Sequence, residues 1–184
     1  MAFYGGCMKQ KIIVKGPALT RSGYGEQTRF ALRALRSRPD LFDVYVQPLI
    51  WGKTSWISEQ SEERIYIDQC IEKTIEFIQQ GGRFDMSLQV TIPNEFEEMA
   101  TVNVGYTAGI ESTACSAQWL EVANKVVNNI IVVSSFSEKA FTETVYTGEV
   151  NGQPVQLKLE KPIDHVNYAV KDYENVEPLD LPLD

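Results

Sequence analysis

The residues of this chain best suited to hold a ligand come early. Gly23-Tyr24-Gly25 follows a short β-branched run and stands directly before a helical pattern. Two glycines make such a loop conformationally permissive. A loop that opens onto a helix N-terminus presents unpaired backbone N–H groups, which suit an anion. Gly16 closes the preceding run, and Arg29, Arg33 and Arg36 then recur at helical spacing as a basic stripe. Arg29 lies early in that helix, where positive charge opposes the helix dipole, so a nearby anion or carboxylate is expected beside it. The motif is neither G-x-G-x-x-G nor a Walker loop. A tight turn with a solvated arginine face would produce the same pattern.

A second group lies between residues 49 and 58, where Trp51 and Trp56 flank Gly52-Lys53-Thr54-Ser55. Two tryptophans in a loop can stack on a sugar ring, or can serve only as anchors that pack the loop down. Metal chemistry is poorly served. The chain has a single histidine, His165, and its three cysteines, Cys7, Cys70 and Cys115, lack ligand spacing. An odd number of scattered cysteines reads as free thiols in a reducing cytoplasm.

The elements that must position these residues repeat strand and helix. Strands are expected at Lys11–Lys15, Phe42–Pro48, Phe84–Val90, Thr101–Tyr106 and Asn129–Ser134. The first helix is expected from Glu26, with Phe30, Ala31, Ala34 and Leu35 on one face. The second spans 61–80, with Ser61 as its cap and Ile67, Ile71, Thr74 and Ile78 on its apolar face. A third carries Trp119, Leu120, Val122, Ala123 and Val126, and Ser135-Phe136-Ser137-Glu138 reads as a capping box opening a fourth. Asn151-Gly152 marks a late β-hairpin, and Ile163–Val170 reads as a last strand. The expected fold is therefore α/β: a Rossmann-like, doubly wound, mainly parallel sheet with a late hairpin. Ligands on such sheets bind at the carboxyl ends of the strands. The loops at 16–25, 49–58, 91–98 and 107–113 all open on that edge.

Composition sets outer bounds. With 184 residues, 43% hydrophobic and 23% charged, the chain can bury a substantial core. No apolar run approaches the roughly 20 residues of a membrane-spanning helix. The net charge of −8 is uneven: residues 1–40 carry +6 and the remainder −14. An acidic protein with one basic corner is a poor nucleic-acid binder. It suits the handling of a small anionic group at one place. Membrane-surface contact stays open, with no feature to support it. Residues 173–184 are acidic and carry Pro178 and Pro182. They read as the start of an interdomain linker after a domain at 1–172.

Two runs resemble a known family. Ala117-Gln118-Trp119-Leu120-Glu121-Val122-Ala123-Asn124, followed by Asn129-Ile130-Ile131-Val132-Val133-Ser134-Ser135-Phe136-Ser137, resembles the second half of the N-terminal domain of retaining GT-B glycosyltransferases. Gly16-Pro17 with Gly23-Tyr24-Gly25 resembles the first loop of that family, and His165–Val170 the strand leading to its interdomain crossing. The resemblance implies the acceptor-binding half of an enzyme that transfers a sugar from a nucleotide-sugar, which is a substrate, without a metal. The implied partners are a sugar or glycan acceptor and a C-terminal donor domain, and without that domain the chain is expected to be inactive. The first glycine loop would approach the donor diphosphate. Where the family commonly has a histidine after the fourth strand, this chain has Gly109-Ile110-Glu111, so the resemblance makes Glu111 the candidate catalytic group. Glu111 also fits a simpler role as an acid near a helix N-terminus. A self-standing binding module of the same topology is the second expectation, since fold alone does not separate the two.

Overall fold

A computed structural model describes residues 8–168 apart from Gly52, Ile110 and Asn151. Cys7, the end of the expected last strand at Ala169-Val170 and the expected linker at 173–184 lie outside the described residues.

The principal sheet is built from β1 (Gln10–Gly16), β2 (Phe42–Pro48), β3 (Phe84–Val90), β4 (Ala100–Thr107), β5 (Asn129–Val132) and β8 (Ile163–His165). Their order is β2-β1-β3-β4-β5-β8, and every pairing is parallel. Between β5 and β8 the strands β6 (Val145–Val150) and β7 (Gln153–Lys158) form a separate antiparallel hairpin. Gly152 in its turn has φ of 78°, a left-handed value that glycine adopts without strain. The α/β, Rossmann-like expectation and the late hairpin are both present in the molecule.

Alternation along the strands divides the core in two. Ile12, Val14, Val44 and Val46 point to one face, where Ala31 and Leu32 of α1 (Gly23–Arg36) cover them. Ile130 and Val132 point to the other, under Leu120 and Ala123 of α3 (Ala117–Val126) and Phe141 of α4 (Ser135–Thr142). Burial of such side chains is the main stabilising term, worth ~1.5–3 kcal/mol each.

The second helix, α2 (Glu62–Gln79), starts where expected, with the Ser61 hydroxyl accepting from the Arg64 N–H. It packs along the edge strand β2. The Val46 N–H donates to Thr74 Oγ1 at 2.8 Å, and that hydroxyl donates to the Cys70 carbonyl. A free edge N–H, which would otherwise invite pairing with another chain, is thereby satisfied by a helix side chain. Ile67 and Thr74 of the expected apolar face are buried, but Ile78 is exposed. The last turn packs through Phe77 against Tyr45 and Phe84, and a residue one step along a helix points about 100° away.

No helix joins β3 to β4. A 3-10 turn at Pro93–Glu95 and an extended stretch take its place, lying on the face opposite α1. The strand residues beneath that stretch are accordingly polar. Gln89 Nε2 donates to the Glu97 carbonyl while the Glu97 N–H donates back to Gln89 Oε1. Ser87 donates to Asn103 Oδ1, which also accepts the N–H groups of Met99 and Ala100. Lys15, 3% exposed, donates to the Glu95 carbonyl and pairs with Glu97. Phe96 packs its ring end against β4 because Gly105 is bare; a Cβ there would stand 2.4 Å from the ring.

Candidate functional site at the carboxyl edge

The strand order reverses between β1 and β3: the chain goes outward to β2, then returns past β1 to β3. In open parallel sheets the crevice at such a reversal is where ligands bind. The loops that follow β1, β2, β3 and β4 meet there.

α1 begins earlier than its apolar pattern indicates. Ser22 is the N-cap, its hydroxyl accepting from the Gly25 N–H, so Gly23, Tyr24 and Gly25 form the first turn of the helix rather than a loop before it. The three glycines of the region serve different ends. A Cβ on Gly25 would fall 2.2 Å from the Thr20 carbonyl oxygen, and one on Gly16 would fall 2.5 Å from Thr28 Oγ1. Both are required by close packing. Gly23 is exposed and a Cβ there would meet nothing within 4 Å, so its backbone lies open to solvent.

Arg29 has an internal role. Its guanidinium is nearly buried and donates to the carbonyls of Ala18 and Thr20 at 2.9 and 2.8 Å and to Glu26 at 2.6 Å. The carboxylate expected beside it is therefore Glu26 of its own helix. Arg33 completes the ladder by pairing with Glu26 and Glu63, and the Arg36 guanidinium lies over the Tyr66 ring. The basic stripe is engaged within the fold, and Arg29 holds the 17–22 loop through the Ala18 and Thr20 carbonyls. Burial works against ionisation of Glu26, but hydrogen bonds and charge from Arg29 and Arg33 outweigh it and hold the carboxyl below its ordinary range.

Tyr24 ties the edge together. Its hydroxyl lies 2.8 Å from Thr107 Oγ1, at the end of β4, and accepts the Ala108 N–H at 3.2 Å. Burial pushes this phenol's pKa up despite those hydrogen bonds. Trp51 packs edge-on against Tyr24, centroids 4.8 Å apart, and its indole N–H is shared by both oxygens of Glu95 at 3.1 and 3.2 Å. Glu95 also accepts from the Thr91 hydroxyl. Trp56 is set apart. Its backbone bridges Thr20 and its side chain is exposed. Of the two tryptophans, Trp51 is fixed within the Tyr24–Glu95 cluster, while Trp56 offers an accessible ring.

Glu111 lines a cleft of about 500 Å3 with Ala108, Gly109, Val133, Phe136, Ser137 and Tyr168, and it is exposed. It stands outside α3, whose cap is Ser116, accepting from the Trp119 N–H. Gly109, at φ of 85°, passes so close to α4 that a Cβ would fall 2.5 Å from Ser137 Oγ. The expected capping box is shifted by one residue. Ser134 is the cap of α4, accepting from the Ser137 N–H, and Glu138 turns instead to His165, whose Nδ1 lies 2.5 Å from its carboxylate. His165 is thus engaged by Glu138 of α4.

Glu95, Thr107, Ser137 and Tyr168 join the site without having been singled out in the sequence. Glu95 had one signal, its place in the loop that follows β3 at the reversal point, but it was masked by the acids that follow it. Among the described residues no group of three His, Cys, Asp or Glu could hold a metal ion. None of their helices is long and apolar enough to cross a membrane. Cys70 and Cys115 are buried free thiols.

The fold and its edge define a Rossmann-like α/β domain with a carboxyl-edge crevice. Comparison with protein-family models, with curated proteins and with solved structures gives no match.

Proposed function

We propose that this domain is the acceptor-binding half of a nucleotide-sugar-dependent glycosyltransferase, inactive without a donor-binding partner domain. The observation that carries the reading is the convergence at the strand reversal. There the open backbone of Gly23, the Tyr24–Trp51–Glu95 cluster and the Thr107–Ala108–Gly109 loop share one edge. Aromatic rings beside a carboxylate and hydroxyls suit the alternating apolar and hydroxylated surfaces of a sugar. The open first turn of α1 suits a diphosphate approaching from a second domain. Glu111 lines the neighbouring cleft, and on this reading it would orient an acceptor hydroxyl as a weak general base. No metal is invoked, and the nucleotide-sugar is a substrate.

Amide NMR titration of the chain with sugars and nucleotide-sugars tests this. Shifts are expected at Gly23, Tyr24, Ala108 and Gly109, with no transfer catalysed, because transfer needs donor and acceptor held in register. Robust transfer by the chain alone would contradict the half-enzyme reading. Shifts confined to another surface would favour a self-standing binding module.

A further inference from the structure

The edge strands of the molecule are β2 and β8 on the principal sheet and β6 and β7 on the hairpin. An edge offers unpaired N–H and C=O groups to any other strand, and folded proteins normally close it. β2 is closed by Thr74 of α2, which takes the Val46 N–H. β8 is short and carries Asp164. β7 is closed twice, by Pro154 and by Asn124 of α3, whose Nδ2 donates to the Lys158 carbonyl at 2.7 Å. β6 has no proline and no lysine, and Glu149 is its one charge.

The register shows which groups of β6 face outward. Pro154 stands opposite Glu149 and has no N–H, so that pair is a non-hydrogen-bonded one. Pairs alternate in kind, so Thr147 opposite Gln156 and Val145 opposite Lys158 are of the same type. The N–H and C=O groups of Val145, Thr147 and Glu149 therefore point away from β7. All three residues are exposed, and these groups have no hydrogen-bond partner among the described residues.

Gly148 is a second sign. It sits inside the strand, its φ is not left-handed, and a Cβ there would meet only Val155, at 3.9 Å. Nothing among the described residues requires a glycine at that place. In a strand interior such a residue marks the close approach of another backbone or side chain. The base of the hairpin is anchored, with Tyr146 donating to the Cys115 carbonyl and Leu157 packed on the core, but Val155 beside Gly148 is 42% exposed. A two-stranded hairpin is marginal in water and gains from a further strand.

We propose that β6 is the contact of a homodimer, in which two copies of this chain pair β6 with β6 antiparallel about a two-fold axis at Thr147. Centred there, the edge is complementary to itself. Thr147 meets Thr147, Val145 meets Glu149, and about six main-chain hydrogen bonds form. Tyr146 stands opposite the second copy's Gly148, whose missing side chain leaves room beside the ring. No like charges face each other, because the two Glu149 side chains lie at opposite ends of the contact. With β7 closed, pairing ends at one continuous sheet, β7-β6-β6-β7, and does not run on into a fibre. A contact this short falls below the roughly 1,200 Å2 of a stable interface, so the dimer is weak, with Kd of about 0.1–1 mM. The inference is independent of the transferase reading.

Sedimentation equilibrium of the chain tests it, in about 0.15 M salt so that the net charge of −8 is screened. A monomer–dimer equilibrium is expected, with amide exchange at Val145, Thr147 and Glu149 slowing as concentration rises. Thr147→Pro removes an outward N–H that the hairpin does not use, and should weaken dimerisation by about tenfold or more. Thr147→Lys and Thr147→Glu serve where that proline distorts the strand. Each sets like charges face to face at the axis and should also abolish the dimer, while an equimolar mixture of the two should dimerise again. Monomer throughout up to about 2 mM, added protection on a different surface, or a mixture that stays monomeric would overturn the proposal. Protection of the β6 amides already in the dilute monomer would place another segment of the chain on this edge and would overturn it as well.

Discussion

The Tyr24 hydroxyl, on the first turn of α1, lies 2.8 Å from the Thr107 hydroxyl at the end of β4, 83 residues along the chain. It also accepts the N–H of Ala108. One phenol oxygen thus joins the helix that follows β1 to the loop that leads to Glu111. Tyr24→Phe keeps the ring against Trp51 and removes only that oxygen. It leaves the Ala108 N–H and the Thr107 hydroxyl short of a partner, so a loss of about 1–3 kcal/mol is expected. Urea unfolding measures the loss. Amide exchange should speed up at Ala108 while the amides of α2 stay protected; uniform loss of protection would show that the bond supports the whole fold rather than this loop.

Arg29 should matter more to stability than any other residue of the basic stripe. Arg29→Met leaves the carbonyls of Ala18 and Thr20 without their donor, and the expected cost is about 2–4 kcal/mol. Arg29→Lys should recover only part of it, because one ammonium cannot reproduce the fork that reaches two carbonyls and Glu26. Thermal or urea unfolding of the two variants decides this. Equal stability of Arg29→Met and the parent would show that the guanidinium is dispensable and return it to the pool of ligand-binding candidates.

Acid should weaken the same clamp. The folded-state pKa of Glu26 lies below its ordinary value of 4.5, because Arg29 and Arg33 favour the carboxylate more than burial disfavours it. The stability this supplies is fully present above the ordinary value and is lost as pH falls through the lowered one. Asp43, held down by Lys73 and Tyr45 against the same desolvation, adds to the loss from its ordinary value of 3.8 downward. Glu26 is 43% exposed at the side chain, so screening keeps its share below about 1 kcal/mol. Glu26→Gln should therefore lower stability at neutral pH and flatten the decline on the acid side. A decline as steep as the parent's would assign acid sensitivity to other carboxyls.

Much of the fold was legible because its signals are local. Alternation and β-branched runs marked the strands, and Ser61 marked the start of α2. What sequence could not convey depends on distance. The apolar pattern of α1 begins near Phe30, so the earlier start set by the Ser22 cap was hidden by two glycines that usually signal a loop. Ile78 has helical spacing with Ile67 and Ile71, but α2 leans on a strand edge, and only the three-dimensional path shows that Phe77 is the buried neighbour. Arg29 looked available for an anion because nothing in its spacing reveals two carbonyls nine and eleven residues behind it. The site was legible as a set of loops on one edge. Glu95 and Tyr168 enter it only because folding brings them to Trp51 and Gln27.

Gly23 and Gly25 look equivalent in sequence but should behave in opposite ways. Gly25→Ala drives a methyl into the Thr20 carbonyl at 2.2 Å, a backbone atom that cannot step aside, and should destabilise by about 1–3 kcal/mol. Gly23→Ala meets open space at a helix start and should stabilise by about 0.4–1 kcal/mol through the unfolded chain. The same methyl would cover the open backbone, so any diphosphate approaching Gly23 should bind more weakly to this more stable variant. Melting curves and a nucleotide-sugar titration on the same sample separate the two effects. Affinity unchanged in Gly23→Ala would remove the first turn of α1 from the site.

Glu111 is the sharpest test of the chemistry. Its carboxylate is exposed, it faces the cleft with Ser137 and Tyr168, and the cap of α3 is a different residue, Ser116. Glu111→Gln preserves shape and removes the charge. At an exposed position outside any helix, this should leave stability within about 0.5 kcal/mol. If Glu111 orients an acceptor hydroxyl and takes its proton, turnover by the domain joined to a donor domain should fall by about 10²-fold or more, with acceptor KM little changed. A role confined to binding would instead raise KM at constant kcat. Glu111→Asp, which keeps the charge but shortens its reach, should sit between the parent and Glu111→Gln in kcat. Full turnover in Glu111→Gln would exclude it as the base and leave the cleft as a binding surface alone.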